Sequence, residues 1–240
     1  MELTASALVG ELRSQARPDE FPQKHYHGSA AVLGVRMGTL FEIAKRFTAM
    51  PLTEVDRLLD VAEYEPRLAA FCVLDFKARK AKLPAAERRG CYGLYLGRHD
   101  RIDTWDMVDR AAPRVVGSYL LDKPRTPLFE LARSTDPLRR RTAMTAPLAF
   151  TGSGDRDALA DLFALAEVLV DDTDPVVSKP VGIALKYAGT ADEPALRAFL
   201  DKFAARMPRP ALRYAVEKLE PHVRRSYLEG PRAAGGSRSI

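Results

Sequence analysis

The stretch Asp136-Pro137-Leu138-Arg139-Arg140-Arg141 returns as Asp174-Pro175-Val176-Val177-Ser178-Lys179, its proline 38 residues further on. Each copy sets an acid before a proline and a basic residue five positions after the acid. An acid just before a helix accepts hydrogen bonds from the first free N–H groups. Proline is tolerated at the first helical position because its missing N–H has no helical partner there. The same opening, an acidic or polar residue followed by proline, stands at Glu65-Pro66 and Arg209-Pro210. The successive prolines are 71, 38 and 35 residues apart, and the first gap is close to two of the others. The missing unit falls near residue 101, where Arg101-Ile102-Asp103-Thr104-Trp105-Asp106-Met107-Val108-Asp109-Arg110 stands. A period of 35–38 residues, read as two antiparallel helices per unit, is that of a helical solenoid, in which each repeat buries its apolar face against its neighbours.

Outward from that stretch, nearly every segment carries helical spacing. Leu8, Val9 and Leu12 follow Thr4, and Leu40, Phe41, Ile43, Ala44 and Phe47 form an i, i+3, i+4 stripe. Thr53 is placed to cap a helix bearing Val55, Leu58, Leu59 and Ala62. Residues 66–80 read as a longer apolar helix with a basic end at Lys77, Arg79 and Lys80, which suits the negative end of the helix dipole. Further helices are expected at 85–97, 104–112, 113–122, 126–133, 137–149, 155–170, 175–188, 192–205, 208–219 and 221–228, with prolines near their first turns. Strand-like alternation is nearly absent. The basic residue after each proline start resembles the HEAT-repeat habit of an inward-facing Arg or Lys on the second helix. The expected fold is therefore all-α, one HEAT-like solenoid domain over residues 1–228, with 229–240 a disordered tail carrying Arg232 and Arg238.

Composition agrees with a folded, soluble chain and excludes an intrinsically disordered one. Hydrophobic residues are 46%, charged residues 29%, and the net charge is +5 over 240 residues. That mild positive balance permits an anionic partner such as nucleic acid without demanding one. Cys72 and Cys91 are too few for a disulfide framework or a cysteine metal site, and Cys72 reads as a small core residue. No secretory leader and no membrane-spanning stretch is read, so a reducing cytoplasmic location is expected.

Candidate chemistry is sparse. Trp105 is the only tryptophan, and Asp109 lies four residues on, so a helix sets them on one face. Asp106 and Arg110 share a neighbouring face and are placed to pair, with Val108, Ala111 and Ala112 as the buried stripe. One reading makes Trp105 a core residue and the aspartates capping or solvated groups. The other makes ring and carboxylate a site for developing positive charge. Arg139-Arg140-Arg141 is the densest basic run, most simply a solvated face. Lys179, Lys186, Lys202, Arg206, Arg209, Arg213 and Lys218 add positive charge at helical intervals. His25 and His27 are a possible ligand pair without a third member, so no metal is assigned, and no cofactor motif is found.

An ordered set of segments resembles the DNA alkylation repair family of helical-repeat DNA glycosylases, the AlkD-like proteins. The segments are Lys24-His25-Tyr26 through Leu33-Gly34-Val35-Arg36, Leu58-Leu59 to Phe71-Cys72, Thr104-Trp105-Asp106-Met107-Val108-Asp109, Asp136-Pro137 to Arg141-Thr142-Ala143, Asp174 to Gly182, and Met207-Pro208 to Leu219. The resemblance implies a HEAT-like solenoid with a concave basic groove for duplex DNA. It also implies excision of cationic N-alkylated purines, of the 3-methyladenine and 7-methylguanine type. It places Asp109 at the catalytic carboxylate, Trp105 at a cleft aromatic and Arg141 at an arginine contacting the DNA backbone. Asp106 takes a cleft-lining, more structural place, and Arg140, Lys179 and Lys186 are added as DNA-binding cations. Ile183 stands where the family has a second cleft tryptophan, and Lys186 where it has an arginine. Ile keeps apolar bulk and loses the π face, a contact of about 1–2 kcal/mol. The expected partner is duplex DNA, the expected state a monomer that joins the nucleoid when bound to DNA. The alternative is a non-catalytic HEAT-like module binding DNA or protein.

Overall fold

The computed structural model describes residues 2–20, 28 and 30–230, and all regular structure among them is helical. The tail from 231 onward and the His25–His27 segment lie outside the described residues. The chain clusters into two compact units, Met1–Tyr119 and Leu120–Ile240.

The first unit contains α1 (Ala5–Ser14), α2 (Met37–Arg46), α3 (Leu52–Leu59), α4 (Tyr64–Ala78), α5 (Ala85–Gly97) and α6 (Trp105–Ala111). A π turn, Ala112–Gly117, continues α6. The short helix α7, Ser118–Leu120, stands where one unit gives way to the next. Helix α4 is buried on all sides along its middle (Leu68, Ala69, Ala70, Phe71, Cys72, Val73 and Leu74 are all buried), so it has almost no solvent face. It packs against α1, α2, α3, α5, α6 and the π turn and forms the axis of this unit.

A central helix leaves its own polar residues without water, and each finds partners. Glu65 is fully buried and accepts N–H bonds from Leu33 at 2.8 Å, Gly34 at 2.7 Å and Val35 at 3.2 Å. It therefore holds the segment that leads into α2 and does not cap its own helix, whose N-cap is Glu63. Gly34 sits at φ 78°, and a Cβ there would lie 2.3 Å from the Arg17 carbonyl oxygen, so only glycine fits this close approach. Lys77 is buried against Glu87 at 2.7 Å. Thr53 is not a cap either, because Pro51 holds that position in α3. Thr4 does cap α1, accepting from the Ala7 N–H at 3.2 Å.

The second unit contains α8 (Thr126–Ala132), α9 (Pro137–Thr145), a 3-10 turn at Ala146–Phe150, α10 (Arg156–Val168), α11 (Pro175–Ala191), α12 (Glu193–Phe203), α13 (Arg209–Ala215) and α14 (Pro221–Glu229). The acid–proline openings form as the sequence requires. Asp136 and Asp174 are N-caps that accept from the Leu138 N–H at 2.8 Å and the Val176 N–H at 2.9 Å, with Pro137 and Pro175 in the first turn. Helix α11 is the axis here, packed on α9, α10, α12, α13 and the 3-10 turn. Gly182 lets α13 approach: a Cβ on it would stand 2.3 Å from the Ala211 carbonyl oxygen. Tyr227 docks α14 by donating to Asp201 at 2.7 Å.

The repeat is visible in the ion pairs. Arg67 meets Asp103 across 36 residues, Arg125 meets Asp161 across 36, Arg140 meets Asp172 across 32 and Arg206 meets Asp171 across 35. Residues about one sequence period apart thus become neighbours of opposite charge. Of the four, only Arg206–Asp171 is exposed on both sides, and such a pair adds little stability; the other three are largely shielded from water.

Candidate functional site

Helix α6 carries the central pair. Trp105 is its first residue, after Thr104 with extended backbone, and the helical spacing keeps Trp105 and Asp109 on one face. That face is open: Trp105 is 45% exposed and Asp109 is exposed. The reading of Trp105 as a core residue does not hold. The opposite face, Met107, Val108 and Ala111, is fully buried.

The third face of α6 anchors it to α4. Asp106 accepts a hydrogen bond from the Tyr64 hydroxyl and another from the Met107 N–H at 3.0 Å. Arg110 reaches Asp75 of α4 at 3.1 Å. Asp106 and Arg110 thus do not pair with each other as their spacing suggested. Each finds a buried partner on α4, where low polarisability strengthens the interaction over one made in water. Burial, and then the neighbouring Asp106 charge, push the Tyr64 phenol far above its ordinary range, so it stays a donor.

After α6 the helix widens. Pro113 has no N–H to give the carbonyl four residues back, that of Asp109, and the chain passes into a π turn at this place. The expected break at Pro113 is therefore a change of helical pitch within one continuous run.

The second unit holds the other expected residues, and they differ in exposure. In Arg139-Arg140-Arg141 each guanidinium takes a different direction, as a 100° step per residue requires. Arg139 is half-exposed beside Asp136. Arg140 bonds Asp172 at 2.7 Å and the carbonyls of Ser134 and Thr135 at 3.0 and 2.9 Å, closing the turn before α9. Arg141 is only 4% exposed and donates to the Val176 carbonyl at 2.6 Å. Lys179 is exposed, with its ammonium 5.9 Å from the Tyr214 ring centroid, so it does not follow Arg141 inward. Lys186 pairs with Glu217 at 3.3 Å and lies 5.1 Å from the Tyr187 ring. Ile183 is half-buried one turn before Tyr187, which is 47% exposed.

No group of three or more His, Cys, Asp or Glu able to hold a metal ion occurs among the described residues. Both cysteines are free and buried, and burial pushes the Cys72 thiol up to about 12 and the Cys91 thiol up to about 11. No helix among the described residues is long and apolar enough to cross a membrane.

Sequence reasoning missed Tyr64 and Asp75, the residues of α4 that hold α6. A signal for the Asp75–Arg110 pair was present, since the two residues are one repeat period apart. Tyr64 gave none, because its partner on α6 is 42 residues away in sequence.

An all-α protein of paired helices, presenting an exposed ring and carboxylate on one helix, is the class defined by this fold and site. The chain belongs to the DNA alkylation repair enzyme family, whose model matches residues 9–219. A predicted DNA alkylation repair enzyme from Enterococcus faecalis, known as a solved structure, is similar in fold. It aligns with a TM-score of 0.58 and 14% identity over 90% of this chain and 95% of that one. No curated protein matches the chain.

Proposed function

We propose that this protein is a monofunctional DNA glycosylase that hydrolyses the N-glycosidic bond of cationic N-alkylated purines, 3-methyladenine and 7-methylguanine, in duplex DNA. The observation that carries the reading is the exposed Trp105–Asp109 pair on a helix fixed to α4 at both Asp106 and Arg110, in a chain of the DNA alkylation repair family.

The chemistry suits those side chains. An N7- or N3-alkylated purine already bears a positive charge, so the base leaves with the bonding electron pair and becomes neutral without a general acid. The sugar left behind is oxocarbenium-like. The Asp109 carboxylate stabilises it and orients a water, whose oxygen bonds C1′ while its proton passes to Asp109 or solvent. The Trp105 ring packs on the deoxyribose edge and favours cationic character. Phosphate contacts fall to exposed cations such as Lys179. Arg141, at 4% exposure, serves as the tie between α9 and α11. Direct methyl transfer to a cysteine is disfavoured, because both thiols are buried and held protonated.

The test is release of free base from a duplex containing one 7-methylguanine or one 3-methyladenine, with Asp109→Asn alongside. Release by the wild type that disappears in the mutant is expected. Undiminished release by Asp109→Asn would remove the carboxylate assignment. Salt-sensitive duplex binding without release by the wild type would make the protein a binding module, with Ile183 in place of a ring as the first residue to revert.

A further inference from the structure

Asp75 has no solvent exposure, yet three guanidiniums surround it. Arg79 approaches its Oδ2 at 2.7 Å, Arg110 the same oxygen at 3.1 Å, and Arg114 its Oδ1 at 3.5 Å. One carboxylate against three arginines leaves an excess of two positive charges at one place. A buried carboxylate needs partners, but a single well-placed guanidinium supplies its counter-charge. The surplus is unexplained by folding alone.

The three arginines are unequal. Arg110 is held between rings, 4.4 Å from the Phe41 centroid and 4.6 Å from that of Phe76, with 18% of its side chain exposed. Its Nε is buried with no hydrogen-bond partner. Arg79 lies over Phe76 at 5.4 Å, and its side chain is 41% exposed. Arg114 is 46% exposed. Asp75 Oδ1 carries no hydrogen bond, so Arg114 is aligned by charge and leaves its donors open. The result is a rim of two solvent-reaching guanidiniums above a fixed third. A guanidinium presents its N–H groups as a fork that matches the oxygens of a phosphate. Arg110 follows Asp109 directly in α6, and Arg114 lies in the π turn one turn beyond.

We propose that Asp75, Arg79, Arg110 and Arg114 form a phosphate-oxyanion site. Arg79 and Arg114 contact a DNA phosphodiester next to the nucleotide being excised, and Asp75 fixes their orientation. This rests on the glycosylase reading above, since it takes the ligand to be the duplex that Asp109 acts on. The π turn gains a purpose: it sets the Arg114 side chain toward Asp75.

The experiment measures binding of undamaged duplex DNA as a function of salt for the wild type, Arg79→Gln, Arg114→Gln, the double variant, and Arg57→Gln as an exposed control on α3. Each phosphate neutralised contributes about 0.9 to the slope of log K against log salt. The double variant is expected to lose about 0.9 of that slope, with Arg57→Gln unchanged. Thermal unfolding accompanies each variant. Arg114→Gln, which breaks only the 3.5 Å contact, keeps the test open if Arg79→Gln unfolds. A slope unaltered in Arg114→Gln and in any folded double variant overturns the proposal. Calorimetric titration with inorganic phosphate is the second arm. Binding of free phosphate with an unaltered DNA slope assigns the site to a small anion and overturns the DNA contact. A wild type that does not bind duplex at all removes the glycosylase reading and this proposal with it. Binding that persists without the slope change removes only the latter.

Discussion

The Arg141 guanidinium donates a 2.6 Å hydrogen bond to the carbonyl of Val176, the acceptor that Pro180 leaves without a helical donor four residues on. Proline inside α11 removes an N–H from the ladder, and a buried carbonyl without a donor is destabilising. The basic residue of one repeat thus satisfies the backbone of the next. The inward-facing arginine and the unusual proline are two halves of one arrangement.

That arrangement makes the first prediction. Arg141→Ala should lower stability by about 1–3 kcal/mol, because a partly buried acceptor loses its partner. In a Pro180→Ala background residue 180 regains its N–H, and the same substitution should cost less. Urea unfolding of the four proteins gives the coupling. Equal losses in both backgrounds would separate the two residues.

Trp105 is expected to matter for chemistry and not for folding. Trp105→Ala should reduce the rate of base release about tenfold, the equivalent of a π contact of about 1–2 kcal/mol. Its melting temperature should stay near that of the wild type, since the ring is 45% exposed. A large drop in melting temperature would mark the ring as structural.

Tyr64→Phe removes the donor that holds Asp106. A hydrogen bond to a charged group is worth about 1.5–3 kcal/mol, so the urea midpoint should fall. Base release should fall as well, because the start of α6 carries Trp105. Release unchanged despite a lower midpoint would show that α6 keeps its place without this anchor.

The cysteines set an alkaline limit. Burial raises the Cys72 thiol to about 12 from its usual 9.0, and the Cys91 thiol to about 11. The unfolded chain ionises both near the usual value, while the folded chain keeps them protonated. Unfolding therefore releases protons between the two values, and stability falls as pH rises from about 9 toward 12. Below that window these groups add no pH dependence. A thiol reagent at pH 8 should label the native protein slowly and the urea-unfolded protein quickly. Rapid native labelling would contradict the burial of both sulfurs.

Much of this was legible in the sequence because it is local. Asp136 and Asp174 cap their helices because an Asx residue before proline has few better conformations. Trp105 and Asp109 share a face because they are four residues apart in a helix. The period of the acid–proline openings likewise determined that helix pairs repeat, and the order of segments identified the family. None of this needs knowledge of a distant residue.

What only the tertiary structure decided is which side chains meet across a period. Arg110 chose Asp75 over Asp106, Asp106 chose Tyr64, and Arg139, Arg140 and Arg141 parted to a half-exposed surface, a turn and the Val176 carbonyl. Local spacing sets the direction of a side chain on its own helix. The partner is set by the neighbouring helix, and burial there strengthens one pairing over its exposed rivals. The guanidinium cluster around Asp75 exists for that reason: α4 and the α6–π run each carry part of it, and packing brings the parts together.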